Sequence, residues 1–273
     1  PRLTAGRKRA EMTGYDGQGQ VYPTDWFPDL PLMRGEEVIE LNPDQRLLTQ
    51  RYTDEAIRFI QASGDAPFFA YLALAMPHVP LFASEQFAGK SLRGLYGDVI
   101  EEIDANVGRI LKTLRQQGIA ENTLVVYTSD NGPWVPYGID AGSAGPLRGG
   151  KGSVWEGGIR VPSVWYWPGS IAPDQVISEV ASSIDLLPTF AHLSGAPLPP
   201  NRIDGKNIWP LLTQPGAKTP HDEFYYYEVV LSYRADEGRP VNHHNLRAVR
   251  SGRWKLFFEK QGESWKPTEL YDL

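Results

Sequence analysis

Two stretches of the chain carry apolar residues at the spacing of an amphipathic helix. The first follows Asn42 and Pro43, which suit a helix cap and a first helical position, and it ends at Gly64. The second ends at Gly118, a residue type common just after helices. The pattern predicts two long helices whose apolar positions are Leu47, Leu48, Tyr52, Ala56, Phe59 and Ile60 in the first and Tyr96, Ile100, Ile103, Val107, Ile110 and Leu114 in the second.

Continuous apolar runs predict three short strands, of which Pro67–Ala75 should be buried and Thr123–Thr128 should be buried on both faces. These runs are Pro67–Ala75, Thr123–Thr128 and Val161–Trp167. Because a predicted helix joins the first two, they should form a βαβ unit with parallel strands and a right-handed crossover. A further helix is expected from Ser182 to Leu193, with Asp185 in its first turns, where the helix dipole favours an anion.

The two ends of the chain have a different pattern. Residues 1–41 show no sustained period, so surface loops and short extended pieces are expected there. After Gln214-Pro-Gly216 the chain is rich in aromatic and β-branched residues, which predicts antiparallel strands at Phe224–Val230, Leu246–Arg250, Trp254–Phe258 and Leu270–Leu273. The predicted organisation is an α/β domain over residues 1–215 and a small β-rich subdomain over residues 216–273.

Composition and charge remove several classes of function. The net charge of −6 and a pI near 5.5 argue against a nucleic-acid binder, which needs a basic face. The sequence contains no run of about 18 apolar residues, so it predicts no transmembrane segment, and the chain does not begin with a signal-peptide pattern. The absence of cysteine excludes disulfides, thiolate metal sites and a cysteine nucleophile within these 273 residues.

Candidate chemistry lies where the predicted strands end. Asp130 and Asn131 follow one strand, His78 follows another between two prolines, and Lys151 lies in a glycine-rich loop. Open α/β sheets bind ligands at the carboxyl ends of their strands. Hard oxygen ligands and a cation on a glycine loop suit an anionic substrate held against a divalent metal. Taken singly, the same residues also suit a turn, a loop histidine and a surface lysine.

Other charged residues are expected to have structural roles. Glu156 and Arg160, four residues apart, predict an ion pair. The remaining groups are expected at the surface, as the solvated face of the second helix (Asp98, Glu101, Glu102 and Asp104) and as surface histidines (His221, His243 and His244).

Five sequence motifs, in family order, resemble those of the type I, formylglycine-dependent sulfatases. They are Pro77–Pro80, Thr128–Pro133, Leu147–Pro162, Ile184–Thr189 and Leu270–Leu273. The resemblance covers the chain from about Gly14 onward and corresponds to the middle and C-terminal parts of such an enzyme. It implies an alkaline-phosphatase-like α/β fold, with a mixed, largely parallel sheet, flanking helices and a C-terminal four-stranded antiparallel sheet.

The resemblance also implies roles for the candidate residues. Asp130 and Asn131 would bind Ca²⁺ or a similar divalent ion that touches the sulfate. His78 and Lys151 would bind the sulfate and help to protonate the leaving alcohol or phenol. The implied substrate is a small-molecule or carbohydrate sulfate ester. Members of the family are often periplasmic, secreted or lysosomal, and the sequence leaves the compartment and the oligomeric state open.

Several parts of the family pattern are absent from these residues, including the lysine and histidine that orient the nucleophile. The family nucleophile is a formylglycine made from the first residue of a C/S-x-P-x-R motif, and that motif does not occur in the sequence. The N-terminal aspartate pair that completes the metal shell is not found either. Two alternatives therefore stand beside the sulfatase hypothesis. One is a phosphodiesterase or phosphonate hydrolase of the same superfamily, and the other is an inactive anion-binding fragment.

Overall fold

The computed structural model describes residues 29–234, 239–262 and 264–273, with the backbone alone at 229–234 and 239–244. These residues form two compact units. The first contains the chain up to Thr123 together with Pro133–Ser143, and the second contains Leu124–Gly132 and Ala144–Leu273. The predicted domain boundary after residue 215 lies inside the second unit and stays a prediction. None of the helices in the described ranges is long and apolar enough to cross a membrane.

In chain order, the first unit contains a β-hairpin followed by two long helices. Strands β1 (Pro31–Arg34) and β2 (Glu37–Leu41) pair antiparallel around a turn at Gly35, where the sequence analysis predicts only loops and extended pieces. The pattern was missed because the strands are short and largely exposed. The helices are α1 (Leu48–Ser63) and α2 (Gly94–Gln116), and 3-10 turns occur at Gln45–Leu47, Ala120–Asn122 and Val135–Asp140.

Both predicted long helices are confirmed, but the first starts later than expected. Asp44 rather than Asn42 caps the 3-10 turn that leads into α1, and its side chain accepts a hydrogen bond from the Arg46 N–H. Asn42 has a φ of 51° and lies outside the helix. Gly64 ends α1 and Gly118 follows α2, as their sequence positions predict.

The predicted strand Pro67–Ala75 does not form a strand in this structure. The segment has no ladder partner among residues that the structure describes, and Phe69 and Tyr71 are 70% and 84% exposed. Phe68 meets Phe59 edge-on and Leu74 packs against the core of the unit, but a buried strand also needs ladder partners at its edges, and the described residues supply none. The predicted parallel βαβ unit is therefore not present, because every strand pair that the structure describes is antiparallel.

The core of the first unit is built from the segment that follows this extended stretch. Leu81, Phe82 and Ala83 are buried against the apolar face of α2, where Val99 and Ile103 are 1% and 3% exposed. Met76 and Val79 belong to the same cluster. The cluster thus fixes the backbone on both sides of His78.

Two acidic residues of α2 are buried, which corrects the prediction that they belong to its solvated face. Glu102 accepts a hydrogen bond from the backbone N–H of Ser84 at 2.8 Å. Asp98 accepts three, from the N–H groups of Gly89, Lys90 and Ser91 at 2.7, 3.0 and 2.7 Å. A buried carboxylate requires such donors, and helical periodicity alone does not show where the donors lie. The two other acidic residues, Glu101 and Asp104, are exposed as predicted.

Acid should weaken the first unit through Asp98. Burial acts to raise the pKa of the Asp98 carboxyl, but the three backbone donors outweigh it and hold the pKa below its usual value. The ionised carboxylate therefore contributes stability above its unfolded-state pKa, and this contribution is lost as pH falls through the folded-state pKa. Asp98→Asn should lower the free energy of unfolding by about 2 kcal/mol at neutral pH, because it weakens hydrogen bonds to a charged acceptor.

Urea unfolding across the acid range measures this effect. The difference between wild type and Asp98→Asn should shrink as the pH falls, since the wild-type carboxyl also becomes neutral. Asp104→Asn, an exposed change on the same helix, should leave the pH dependence almost unchanged. Parallel pH profiles for wild type and Asp98→Asn would contradict the assignment.

The second unit contains a two-stranded and a four-stranded antiparallel sheet. Strand β3 (Val125–Thr128) pairs with β4 (Ser163–Tyr166), which confirms both predicted strands, although β3 is partly exposed rather than buried on both faces. The predicted helix from Ser182 forms as a 3-10 turn (Ser183–Asp185) followed by α4 (Leu186–Ser194), with Gly195 directly after it. The helices of the unit are α3 (Glu156–Ile159), α4 (Leu186–Ser194) and α5 (Trp209–Thr213).

The predicted C-terminal sheet is confirmed. Its strands are β5 (Phe224–Arg234), β6 (Arg239–Ser251), β7 (Trp254–Gln261) and β8 (Ser264–Asp272), paired in sequence order. Leu270 pairs with Leu256, and the N–H of Leu273 donates to the Arg253 carbonyl at 2.9 Å. The last residues therefore belong to the sheet, as the sequence predicts.

Candidate functional site

The turn after β3 carries Asp130 and Asn131. Asp130 is exposed and Asn131 is half-buried. The Ser129 hydroxyl donates to the Asn131 carbonyl at 3.1 Å, and Thr128 Oγ1 donates to the Pro162 carbonyl at 3.0 Å. These bonds fix the turn against the start of β4, so both side chains leave the sheet at the end of a strand, as predicted.

Lys151 lies at the tip of a tight turn. The Ser153 N–H and the Ser153 hydroxyl both donate to the Gly150 carbonyl, at 3.0 and 2.8 Å. Gly152 has a φ of 88°, in the left-handed region that favours glycine. The half-buried Lys151 side chain therefore starts from a backbone that is held on both sides.

Close backbone contacts join these two turns. The Gly132 N–H donates to the Gly158 carbonyl at 2.9 Å, and a Cβ on Gly132 would lie 1.9 Å from the Gly157 oxygen. A Cβ on Gly158 would lie 2.4 Å from the Gly150 oxygen. Only glycine allows the chain to approach so closely. Within the second unit, the turn that carries Asp130 and Asn131 therefore packs against the loop that carries Lys151.

Glu156 does not form the predicted ion pair with Arg160. Helix α3 ends at Ile159, and Arg160 is extended with a ψ of 115°, so the two side chains do not share a helix face. Glu156 pairs instead with Lys255 at 2.9 Å and with Arg250 at 3.6 Å, both from the C-terminal sheet.

Lys255 was not identified from the sequence as a residue of interest. Its side chain is 1% exposed, and its ammonium donates to the Val154 carbonyl at 2.6 Å as well as to Glu156. Burial lowers the pKa of Lys255 below its usual value, while the hydrogen bond and charge of Glu156 oppose that shift. The available signal was its alternation with Phe257, since residues two apart on a strand share a face. Phe257 is buried too.

Aromatic contacts reinforce this attachment. The Trp155 ring stacks on Phe257 with centroids 4.1 Å apart and meets Tyr271 edge-on at 5.4 Å. The Arg148 guanidinium lies 3.6 Å from the Trp155 ring centre and donates to the Tyr271 hydroxyl at 3.3 Å. Residues 147–158, the Lys151 loop, therefore contact the C-terminal sheet on both sides of Lys151.

His78 lies in the first unit. It is exposed, its ring centre is 5.9 Å from that of Trp134, and its Nδ1 lies 2.7 Å from the Val79 carbonyl oxygen. A carbonyl only accepts, so Nδ1 carries the hydrogen in this contact. Nε2 is then the nitrogen that can serve a ligand. Participation of His78 with Asp130, Asn131 and Lys151 in one site stays a prediction.

His221 is buried, which corrects its prediction as a surface histidine. Its side chain is 5% exposed, and its Nε2 lies 2.7 Å from an oxygen of the fully buried Asp185. Asp185 also accepts the N–H groups of Ser182 and Lys206, both at 2.8 Å. The pair joins the start of α4 to the chain before β5, a long-range contact that spacing could not reveal. The side chains of His243 and His244 lie outside the described residues.

Asp130 and Asn131 provide the right type of ligand for the implied divalent ion, but too few ligands to complete its coordination shell. Asp130 and Asn131 supply oxygen atoms, the ligand type that Ca²⁺ prefers. However, no cluster of three or more His, Asp or Glu side chains suited to a metal occurs in the part of the chain that is described. These two residues alone make a partial shell, and no reaction step below depends on the ion.

Known proteins share both the sequence and the fold of this chain. Residues 9–196 match the family described as Sulfatase, and residues 150–273 match the C-terminal region of N-sulphoglucosamine sulphohydrolase. The chain belongs to the sulfatase family. This confirms the resemblance inferred from its motifs.

Two curated relatives and one solved structure show the extent of the similarity. The chain is 41% identical to human steryl-sulfatase over 83% of its own length and 39% of the relative's. It is 44% identical to human arylsulfatase A over 75% of its own length and 38% of the relative's. The PsFucS1 sulfatase from Pseudoalteromonas sp. superposes with a TM-score of 0.67 at 26% identity, covering 83% of this chain and 46% of that one.

Two conclusions follow for this sulfatase-family chain. The structural similarity confirms the predicted fold class, an alkaline-phosphatase-like α/β fold with a C-terminal antiparallel sheet. The chain also spans about two fifths of the length of these curated relatives, so it carries only part of what their complete sequences contain.

Proposed function

We propose that this chain carries the sulfate-binding part of a sulfuric ester hydrolase of the arylsulfatase type. Lys151 and His78 bind the sulfate group, and Asp130 and Asn131 contribute ligands to a divalent ion, with Ca²⁺ the expected one. The observation that supports this most is the glycine-to-glycine contact that places the Asp130 turn against the Lys151 loop.

Each residue has a distinct chemical task in this proposal. A sulfate ester carries its negative charge on the non-bridging oxygens, which repel a nucleophile. The Lys151 ammonium offsets this charge, and the bound ion, when present, adds positive charge beside the same oxygens. As the S–O bond to the leaving group breaks, the bridging oxygen needs a proton. Nε2 of a protonated His78 can give it one, because Nδ1 is held by the Val79 carbonyl.

The proposed substrate is a small-molecule or carbohydrate sulfate ester. The two curated relatives are named for steryl and aryl sulfates, which favours a sulfate monoester over other anions. A phosphodiesterase or phosphonate hydrolase would use the same cation and oxygen donors, and no feature of the described residues favours it over a sulfatase. The remaining alternative is an inactive fragment that only binds the anion. The presence or absence of the nucleophile motif distinguishes this alternative from an active sulfatase.

Sulfate binding by the chain tests the assignment of the site. Titration with inorganic sulfate in the presence of Ca²⁺ should show binding that Lys151→Ala and His78→Ala each weaken by about 10- to 100-fold, the value of a hydrogen bond to a charged group. Lys112→Ala removes an exposed lysine of α2 and should leave the affinity unchanged. Unchanged affinity in both His78→Ala and Lys151→Ala would show that the site is wrongly assigned.

A further inference from the structure

The Lys151 loop is held internally by the hydrogen bonds of its own turns, in which the Ser153 N–H and hydroxyl donate to the Gly150 carbonyl and the Gly157 N–H donates to the Arg148 carbonyl at 2.8 Å. Residues 147–158 nevertheless include five glycines and, apart from the first three residues of α3, no helix or strand. Glycine-rich backbone loses more conformational entropy on ordering than other backbone. A cation that must bind sulfate in one geometry therefore needs support from outside the loop.

The C-terminal sheet provides that support through one buried ammonium group. Lys255 donates to the Val154 carbonyl at 2.6 Å and to the Glu156 carboxylate at 2.9 Å, so it contacts the loop on both sides of Trp155. Tyr226 and Phe257 surround it, with ring centres 4.3 and 5.4 Å from the nitrogen. Burying an ammonium group costs desolvation free energy. This cost is offset only when the ammonium makes well-aligned hydrogen bonds, which favour one fixed arrangement of its partners.

We propose that Lys255 is a positioning residue for Lys151: by joining β7 to the Val154 carbonyl and Glu156, it holds the glycine loop in the geometry that binds sulfate. The proposal rests on the proposed function for the role of Lys151, but not for the attachment itself. Lys255 need not touch the substrate. It acts through the backbone that runs from Val154 back to the turn at Gly150–Ser153.

Lys255→Met removes the ammonium group with the smallest change in packing. In Lys255→Met the side chain keeps its length and apolar contacts, and Glu156 keeps Arg250 as a partner at 3.6 Å. Lys255→Arg retains the charge and the capacity to donate. Lys260→Met changes an exposed lysine on the same strand and serves as the matched control.

Hydrogen exchange of the whole chain, followed by mass spectrometry, tests the attachment without any ligand. Lys255→Met should raise exchange by about tenfold in peptides covering residues 149–155 and leave the β7–β8 peptides protected. Lys260→Met should match wild type, and Lys255→Arg should restore part of the protection. Wild-type exchange of the loop in a folded Lys255→Met protein would overturn the proposal.

Sulfate titration of the same variants tests the consequence for the site. Lys255→Met should weaken binding of inorganic sulfate by about tenfold, as loss of a supporting residue commonly does. Retained affinity alongside a mobile loop would overturn the positioning role. If Lys151→Ala itself leaves the affinity unchanged, the proposed function fails, and the exchange result still decides whether Lys255 holds the loop. If Lys255→Met does not fold, Lys255→Met combined with Glu156→Gln, which also removes the carboxylate charge that faced Lys255, takes its place in both measurements.

Discussion

A protein made of these 273 residues should hydrolyse 4-nitrophenyl sulfate more slowly than human arylsulfatase A by a factor on the order of 10⁶. The sequence contains no cysteine and no serine in a C/S-x-P-x-R motif, so it encodes no formylglycine. Loss of a covalent nucleophile leaves only the catalysis that binding and electrostatics supply. The chain should therefore bind sulfate without rapid turnover.

An activity assay and the intact mass of the purified chain together test this prediction. Release of 4-nitrophenol by the purified chain is compared with that of arylsulfatase A under the same conditions, and the intact mass should equal that of the unmodified sequence. Rapid turnover that disappears in His78→Ala or Lys151→Ala would refute the prediction. It would show that a hydroxyl of this chain or a bound water has replaced the nucleophile.

Gly132→Ala should damage both stability and sulfate binding. The new methyl group would lie 1.9 Å from the Gly157 carbonyl oxygen, and a backbone atom cannot rotate away as a side chain can. Overpacking of this kind costs about 1–3 kcal/mol, and here the strain falls on the contact between the Asp130 turn and the Lys151 loop. Thermal unfolding and sulfate titration measure the two effects.

Gly108→Ala provides a control of opposite sign. Gly108 lies within α2, and a Cβ there meets nothing within 4 Å. Alanine should stabilise that helix by about 0.5–1 kcal/mol, since glycine is a poor helix former. Equal behaviour of the two variants would mean that the close approach at Gly132 is not present in solution.

Local signals in the sequence were enough to find the helices and the C-terminal sheet. Helical spacing with Gly64 and Gly118 located the ends of α1 and α2, and aromatic and β-branched runs located β5 to β8, although the strands extend beyond those runs. The turn at Asp130 and the loop at Lys151 were found because glycines and prolines interrupt apolar runs there. These features depend on residues close together in the chain, and periodicity reports such features well.

Features that depend on distant partners were predicted poorly. Asp98 and Glu102 occupy positions on α2 that look solvated, yet they accept backbone N–H groups from the loop before it. His221 is buried because Asp185, 36 residues earlier, accepts its hydrogen bond. The Pro67–Ala75 run shows the converse, because its apolarity predicts a strand for which the described residues contain no ladder partner. Spacing identifies a face but not what covers it.

The contact between Lys255 and the Lys151 loop has a consequence for the order of folding. The two hydrogen bonds of Lys255 join residues 101 and 99 positions apart. Synthesis proceeds from the N-terminus at about 5–20 residues per second, so the loop leaves the ribosome several seconds before the lysine that holds it. Throughout that interval a nascent chain contains every candidate sulfate-binding residue but not the strand that orders the loop. Sulfate affinity should therefore be acquired late in synthesis, after β7 emerges and pairs.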